Sequence, residues 1–281
     1  MDWVYFNDSF ILKDKVSISP YDRGFLFGDS VYEVIPVYEG KAFLLEDHLT
    51  RLERSLIETK IKKPISWKDF PKIIEKLVKR NSYKDQQIYV QITRGVDEHR
   101  NHIPSKNLNP TCFISSAELS INPFRINPNR PGLEVKSVED TRWSRCDIKA
   151  VTLLPNVMAL REANDFNKDE VIFLKEDKVN EGAASNVFAA FSGVVMTPPV
   201  SSKILSGVTR NHVINTMKHR NISFEEQELT IEDLYKAEEV WMTSSTKELQ
   251  PVSKIDDKKL KLTQPEDSIW LKVLNSFFIN T

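Results

Sequence analysis

The apolar residues of this chain change their spacing several times, and that change constrains the fold more than any other feature. The segments Val31–Tyr38 and Ile88–Thr93 carry the β-branched and alternating pattern of strands. Apolar residues three or four positions apart, from Asp47 onward and around Phe70–Val78, predict amphipathic helices. A chain that mixes both periods is expected to fold as an α+β (mixed α/β) protein.

A proline-rich stretch divides the chain into two parts. Three prolines and one glycine lie in or beside residues 122–131, where neither a helix nor a strand is expected to continue. We therefore predict two domains, 1–121 and 132–281, joined by a linker at 122–131 and separated by a cleft. The other predicted strands are Trp3–Phe6, Phe10–Leu12, Cys112–Ser115, Leu133–Val138, Val171–Lys175, Val187–Phe191 and Val240–Thr243. The other predicted helices are Asn156–Asn164, Val208–Arg220, Ile231–Ala237 and Asp267–Phe278.

The charge balance and the cysteine content exclude several classes of function. The 39 Lys and Arg residues face 40 Asp and Glu residues, for a net charge of -1, so no excess positive charge is available for nucleic acid or an anionic membrane. Cys112 and Cys146 are too few for a disulfide framework, and no Cys/His spacing resembles a metal site. With no basic leader and no long apolar run, we expect a soluble cytoplasmic protein with reduced thiols.

Two polar turns have the composition of an anion-binding site. Ser206-Gly207-Val208-Thr209-Arg210 opens a predicted helix, whose first N–H groups lack acceptors within the helix. The hydroxyl-rich turn 243–246 follows the predicted strand that begins at Val240. Together the two turns could bind one phosphate, whereas each taken alone is also explained as a capped helix and a polar loop.

Two charged residues have a sequence context that suits catalysis. Lys149 lies in an alternating segment between Asp147 and Ala150, where partial burial would lower its pKa and make the amine a nucleophile. Glu181 is the one acid in the small-residue segment 180–186, and if buried it needs a cationic or N–H partner. The alternatives are a solvated surface lysine and an exposed acid in a β-turn.

These segments belong to an ordered set that covers nearly the whole chain. In this set the sequence resembles the fold type IV pyridoxal-phosphate enzymes, the group of the D-amino acid and branched-chain aminotransferases, and is most similar to the D-amino acid aminotransferases. The segments are YDRGFLFGDSVYEV at 21–34, EDHLTRL at 46–52, YVQITRG at 89–95, RWSRCDIK at 142–149, NEGAASNVF at 180–188, ILSGVTR at 204–210 and WMTSST at 241–246.

The resemblance implies a role for individual residues of this chain. Lys149 matches the lysine that binds the cofactor pyridoxal 5'-phosphate covalently as a Schiff base, and Glu181 matches the acid that pairs with the pyridine nitrogen. That pairing keeps the ring protonated, which makes it a better electron sink. The residues that match phosphate-binding positions are Arg51, Val208, Thr209, Ser244 and Ser245. His48, three residues before Arg51 on the same predicted helix, is expected to be a packing residue.

The segment expected to bind the substrate carboxylate departs from the family pattern. Tyr32 matches one residue of that site, and D-specific members also carry Arg-x-His after the ITRG strand, on a loop that the neighbouring subunit donates. Here Arg100 and His102 have the right types and spacing but lie one residue late, and an ungapped match puts His99 and Asn101 in their places. Ala183 and Ala184 also replace hydroxyl residues common in the cofactor loop.

The activity implied by the resemblance is ping-pong transamination. A D-amino acid such as D-alanine or D-glutamate would give its amino group to a 2-oxo acid such as 2-oxoglutarate, in a cytoplasmic homodimer. An L-branched-chain aminotransferase and a 4-amino-4-deoxychorismate lyase share the catalytic residues and remain alternatives. A protein that binds a phosphate ligand without catalysis is a third alternative, which the presence of both Lys149 and Glu181 disfavours.

Overall fold

The computed structural model describes residues 2–261 and 263–279 and divides the chain into two compact units. The N-terminal unit contains the residues up to Ser120 together with Ile148–Thr152. The C-terminal unit contains Ile121–Asp147 and the residues from Leu153 onward. The predicted domain boundaries differ from this division, because the segment that carries Lys149 belongs to the first unit.

The N-terminal unit is built on a six-stranded antiparallel sheet with the order β2-β1-β6-β5-β3-β4. Its strands are β1 (Trp3–Phe6), β2 (Ser9–Leu12), β3 (Ser30–Tyr38), β4 (Lys41–Ala42), β5 (Gln86–Thr93) and β6 (Cys112–Glu118). Its helices are α1 (Arg23–Phe27), α2 (Leu45–Thr59) and α3 (Phe70–Arg80), with 3-10 turns at Lys13–Lys15 and Ile65–Asp69. The strands and helices predicted here are confirmed to within two residues at most of their ends.

Helices α2 and α3 cover this sheet with their apolar faces. Leu52 and Leu56 of α2 and Leu77 of α3 are buried in one cluster with Ile35 of β3 and Ile88 of β5. Asp69 precedes α3 but makes no capping hydrogen bond with its side chain. The helix instead continues from the 3-10 turn before it, and Pro71 occupies its first turn, where no N–H donor is needed.

The C-terminal unit contains a nine-stranded mixed sheet with the order β12-β11-β10-β13-β14-β7-β8-β9, to which β15 adds beside β14. The strands are β7 (Leu133–Glu139), β8 (Glu170–Lys175), β9 (Lys178–Gly182), β10 (Asn186–Phe191), β11 (Val194–Thr197), β12 (Phe224–Glu226), β13 (Glu239–Ser244), β14 (Glu248–Ile255) and β15 (Lys258–Lys259). The helices are α4 (Pro123–Ile126), α5 (Leu154–Asp165), α6 (Val208–His219), α7 (Ile231–Lys236) and α8 (Ile269–Asn275). Helix α7 begins with a capping box between Thr230 and Asp233, as its sequence predicts.

Two details of the C-terminal unit correct the sequence predictions. The proline-rich stretch was expected to exclude a helix, but α4 forms there because Pro123 lies in the first turn and the Asn122 side chain accepts the Phe124 N–H. Glu181 was expected between two strands and lies within β9 instead.

Both cysteines are free, as predicted, and both are buried. Burial raises the pKa of the Cys112 thiol to about 12 and that of the Cys146 thiol to about 11. Both thiols are therefore protonated at neutral pH and poor nucleophiles. Separately, none of the helices described for residues 2–261 and 263–279 has the length and apolar character needed to cross a membrane.

Candidate active site

Lys149 lies on a short segment that is hydrogen-bonded to the beginning of β3. The Tyr32 N–H donates to the Lys149 carbonyl at 3.0 Å, and the Val151 N–H donates to the Ser30 carbonyl at 3.1 Å. The half-buried Lys149 side chain places its Nζ 4.2 Å from the centre of the Tyr32 ring. These contacts hold the amine of Lys149 beside the ring of Tyr32, and both residues are candidates from the sequence.

Arg51 lies on the inner face of α2 and forms an ion pair with a buried acid. Its Nε donates to Glu33 Oε1 at 2.6 Å, and its Nη2 donates to Glu33 Oε2 at 2.8 Å. His48, one turn earlier on α2, places Nδ1 2.8 Å from Glu33 Oε2. Glu33 and the bonded role of His48 were missed from the sequence, because an acid inside a strand is ordinarily solvated.

The loop that carries Arg100 and His102 is fastened by a buried arginine. Arg23 Nη1 donates to the Asn101 carbonyl at 2.6 Å, and Arg23 Nη2 donates to the His102 carbonyl at 3.0 Å. The Arg100 guanidinium carbon lies 5.0 Å from the centre of the Phe27 ring, and the His102 ring centre lies 5.4 Å from it. Arg100 and His102 are both exposed in the single chain.

Glu181 is buried in the C-terminal unit, with three polar groups on its carboxylate. Arg142 Nη1 donates to Oε1 at 2.6 Å, the Leu205 N–H donates to Oε2 at 3.0 Å and Asn186 Nδ2 donates to Oε2 at 3.2 Å. The alternative of an exposed acid in a β-turn is therefore wrong. The cationic and N–H partners that a buried glutamate needs are present.

Arg142 is itself held by a second acid. Asp140 accepts its Nε at 2.9 Å and its Nη2 at 2.8 Å, and Asn180 Nδ2 also donates to Asp140 at 2.8 Å. Burial would lower the pKa of the Arg142 guanidinium, but the hydrogen bonds to Asp140 and the charge of Glu181 raise it above its usual value. Arg142 thus stays charged and fixed in front of Glu181.

The segment predicted to form part of an anion site begins helix α6, and a glycine is required there for a steric reason. Gly207 is the N-cap, and Val208 and Thr209 open the helix as buried residues. A Cβ atom on Gly207 would lie 2.1 Å from Asn186 Oδ1. Because Asn186 also bonds Glu181, one side chain adjoins both Gly207 and the buried acid.

The second polar turn lies at the end of β13. Thr243 pairs in register with Asn186 of the neighbouring strand β10, and its buried Oγ1 has no hydrogen-bond partner among the described residues. Ser244 and Ser245 follow as half-buried hydroxyl residues, and α6 packs against β13. Because buried hydroxyl groups nearly always have a hydrogen-bond partner, this one marks a position where a polar ligand could bind.

We expect Gly207→Ala to weaken cofactor binding and to destabilise the fold by about 1–3 kcal/mol, the usual cost of overpacking. Asn186 cannot move away cheaply, because its Nδ2 donates to both Glu181 and the Leu205 carbonyl. Titration of the apo protein with pyridoxal phosphate and urea denaturation would measure the two effects. Gly40→Ala is the control, since its positive φ of 78° brings strain without any atom within 4 Å. Equal cofactor affinity in the Gly207 and Gly40 variants would contradict the expectation.

Each unit therefore gathers part of the predicted set. In the N-terminal unit Tyr32 and Lys149 lie at the start of β3, and Arg51, in the middle of α2, bonds Glu33 of the same strand. In the C-terminal unit Asn186 bonds Glu181 and adjoins Gly207, which directly precedes Val208 and Thr209. It also pairs in register with Thr243, which directly precedes Ser244 and Ser245. Arg142 and Asn186 stand inside the quoted motifs but were not singled out, because only their contacts distinguish them.

Comparison with known proteins identifies the family of this chain. Residues 30–255 match the family model of amino-transferase class IV. The chain belongs to the class IV aminotransferases. The D-alanine aminotransferase of Staphylococcus haemolyticus is 35% identical over 260 residues, which cover 92% of this chain and 91% of the relative.

Solved structures agree with this class IV assignment. A branched-chain aminotransferase from the archaeon Thermoproteus uzoniensis, crystallised with norvaline, has a TM-score of 0.87 at 26% identity and covers 98% of this chain and 93% of its own. A hypothetical aminotransferase from Mycobacterium tuberculosis in a PLP-bound form has a TM-score of 0.84 at 20% identity and covers 99% of both chains. The predicted fold type IV architecture is confirmed.

The cofactor of class IV aminotransferases is pyridoxal 5'-phosphate, and the residues of this chain suit it. In the N-terminal unit Lys149 has an amine, the group that suits the aldehyde of this cofactor. In the C-terminal unit a buried carboxylate held by N–H donors and a glycine-opened helix are groups that suit a ring nitrogen and a phosphate. The buried Thr243 hydroxyl, which has no hydrogen-bond partner among the described residues, is a separate sign of a ligand that the chain itself does not supply.

Proposed function

We propose that this protein is a D-amino-acid transaminase that moves the amino group of D-alanine, D-glutamate or a similar amino acid to a 2-oxo acid such as 2-oxoglutarate. The observation that carries the proposal is the 35% identity to a D-alanine aminotransferase over more than nine-tenths of both chains. The branched-chain neighbour is similar in fold at the lower identity of 26%.

In the proposed reaction Lys149 acts as covalent anchor and then as acid and base. The chemistry that bound pyridoxal phosphate supplies is an electron sink for the electrons of the broken Cα–H bond. The ε-amine of Lys149 would hold the cofactor through its aldehyde and would become free as a base when the amino acid binds. It would then take the α-proton of the amino acid and, as the protonated amine, give that proton back later in the reaction. The amino acid would leave as its 2-oxo acid, and a second 2-oxo acid would accept the amino group.

Glu181 would hold the ring nitrogen of the cofactor in its protonated form. Its own N–H donors fix the carboxylate in one orientation, and the Arg142 guanidinium forms an ion pair with it. The residues proposed to bind the phosphate are Arg51, the N–H groups of Val208 and Thr209 at the helix start, and the hydroxyl groups of Ser244 and Ser245.

Arg100, His102 and Tyr32 are proposed to bind the substrate carboxylate. Contacts within the loop favour Arg100 and His102 over the ungapped match of His99 and Asn101. The Asn101 side chain is used within the loop, where its Oδ1 accepts the Ile103 N–H at 3.1 Å. Arg100 and His102 by contrast share one neighbour, the Phe27 ring, and so lie on the same face of the loop.

We expect Arg100→Gln to raise the KM for D-alanine about 10- to 100-fold, the value of one charge-assisted hydrogen bond of ~1.5–3 kcal/mol. Steady-state kinetics at saturating 2-oxoglutarate would measure this effect. His99→Gln is the matched control and should leave the KM near that of the wild type. A larger effect from His99→Gln than from Arg100→Gln would show that the ungapped match is correct.

The protein is further proposed to work as a cytoplasmic homodimer. The resemblance implies a neighbouring subunit, and Leu154, Val157 and Met158 leave an exposed apolar stripe on α5. Light scattering coupled to size exclusion would test the dimer, and a monomer at micromolar concentration would contradict it.

The first test of the function is the visible absorption of the purified protein. Separate additions of D-alanine, D-glutamate and L-leucine, without a 2-oxo acid, should remove the band of the bound cofactor with the D-amino acids alone. Loss of the band with L-leucine alone would transfer the protein to the branched-chain aminotransferases. Release of pyruvate from 4-amino-4-deoxychorismate without an acceptor would indicate the lyase, and no band after added pyridoxal phosphate would contradict the cofactor.

A further inference from the structure

One buried group of charges in the N-terminal unit contains two residues that have no role in the reaction as described so far. The group consists of Glu33 on β3 and of His48 and Arg51 on α2, and it is called the Glu33 cluster below. The side chains of Glu33, His48 and Arg51 are 0%, 1% and 9% exposed. Only Arg51 has a proposed contact with the cofactor.

Glu33 departs from the pattern of its own strand. Along β3 the side chains of Val31, Ile35 and Val37 alternate onto the buried face, and all three are apolar and fully buried. Glu33 takes the remaining position of that face, between Val31 and Ile35. An apolar residue there would complete the core without the desolvation cost of a carboxylate, and buried ion pairs are on average no more stable than apolar packing. The acid is therefore better explained by what it holds than by stability.

The geometry of the Glu33 cluster fixes the Arg51 guanidinium. Two parallel hydrogen bonds join its Nε and Nη2 to the two oxygens of Glu33, at 2.6 and 2.8 Å. Such a fork sets the plane and the rotation of a guanidinium, which a single contact does not do. Glu33 thus sets the direction in which the third guanidinium nitrogen of Arg51, Nη1, points.

His48 in turn fixes the carboxylate. Burial would raise the pKa of Glu33, but the charge and hydrogen bonds of Arg51 hold it well below its usual range, so the acid is ionised. Burial lowers the pKa of His48, and the hydrogen bond to Glu33 does not reverse this, so the ring is neutral. An ionised carboxylate only accepts, hence His48 donates from Nδ1. All three side chains of the cluster are therefore fixed by one another.

The Glu33 cluster also borders the cofactor lysine. The positive charge of Lys149 is one of the influences that lower the pKa of His48. Ser55, one turn beyond Arg51 on the same face of α2, places Oγ 3.4 Å from the Lys149 backbone nitrogen. The cluster thus lies beside the segment that carries Lys149, within one compact unit.

We propose, resting on the function proposed above, that Glu33 and His48 are positioning residues that hold Arg51 in the orientation in which it binds the cofactor phosphate. Neither residue touches the reacting atoms. Their loss removes the fork that sets the direction of the Arg51 guanidinium while its charge remains, so phosphate recognition weakens and recognition of the pyridine ring is retained.

The test compares two probes on the apo protein, pyridoxal phosphate and pyridoxal, which lacks the phosphate. Affinities are measured from the quenching of intrinsic tryptophan fluorescence and do not depend on turnover. Glu33→Gln should raise the Kd for pyridoxal phosphate about 10-fold or more, the effect of one charge-assisted hydrogen bond, and change the Kd for pyridoxal much less. His48→Gln should have a smaller effect in the same direction.

Two controls separate positioning from a general loss of structure. Ile88→Val removes one methyl group from the same buried core and should leave the ratio of the two affinities unchanged. In an Arg51→Lys background, Glu33→Gln should add little further loss, because the fork no longer exists to be oriented. If Glu33→Gln does not fold, His48→Gln is combined with Arg51→Lys in its place.

Equal weakening of pyridoxal and pyridoxal phosphate by Glu33→Gln, or fully additive effects with Arg51→Lys, would assign the cluster to stability and overturn the inference. If the wild-type protein binds pyridoxal phosphate but the variants keep the wild-type ratio of the Kd values for pyridoxal and pyridoxal phosphate, this inference alone is overturned. A wild-type protein that binds no pyridoxal phosphate overturns the proposed function as well.

Discussion

Lys149→Ala is expected to lower transaminase turnover by at least about 10⁴-fold, since the variant loses both the covalent anchor and a general acid and base that contributes ~10²–10⁴ by itself. The fold should survive. The described side-chain contact of Lys149 is its approach to the Tyr32 ring, an interaction of about 0.5–1 kcal/mol for a half-exposed cation. Turnover of D-alanine with 2-oxoglutarate and a thermal denaturation curve would measure the two quantities.

Lys41→Ala is the control for that experiment, because Lys41 is an exposed lysine on β4 in the same unit. It should leave turnover and thermal midpoint unchanged. A Lys149→Ala protein that turned over D-alanine at the wild-type rate would remove Lys149 from the active site. A folded but inactive variant that regains activity with added small amines would support the role of a missing amine.

Glu181→Gln is expected to reduce turnover about 100-fold or more, because an amide cannot hold the ring nitrogen in its protonated form as a carboxylate does. It also leaves the buried Arg142 with one acid, Asp140, in place of two. Loss of one partner of a buried ion pair costs ~3–5 kcal/mol when no other acid is present, so we expect less than that here. Kinetics and urea denaturation would separate the catalytic from the structural effect.

Glu170→Gln offers a matched control for Glu181→Gln. Glu170 is also a buried glutamate, on the neighbouring strand β8, and it accepts the Val171 and Ala183 N–H groups. Burial raises the pKa of Glu170 above its usual value, and the hydrogen-bond donors on its carboxylate are backbone N–H groups and the Ser185 hydroxyl rather than an arginine. Turnover of this variant should stay near that of the wild type. Equal losses of turnover in both variants would mean that Glu181 acts through packing rather than through its charge.

Much of the secondary structure could be predicted because it depends on local spacing. Helix α3 and strand β5 show strong periodicity over their whole length, and the capping box of α7 needs only residues three positions apart. Helix α4 was missed because proline disfavours a helix everywhere except in its first turn. Strand β14 was missed because Pro251 interrupts a segment that pairs on both sides.

The residues of the candidate site likewise fall into those that the sequence could identify and those that it could not. Lys149, Glu181 and the helix start at Gly207 could be chosen from residue types and motif order. Arg142, Asn186 and Glu33 could not, because their importance comes from partners that are far away in sequence. Arg142 meets Glu181 across 39 residues, and Arg51 meets Glu33 from another element across 18.

The sequence by itself determined the α+β class, the family and the residue types that a phosphate-bearing cofactor requires, since motif order and local periodicity are properties of the linear chain. The tertiary structure alone decided that residues 148–152 join the N-terminal unit, where hydrogen bonds to β3 hold Lys149. It also decided which charges are buried and paired. The physical reason is that the pKa and orientation of a charged side chain depend on desolvation and on partners that only folding brings within hydrogen-bond distance.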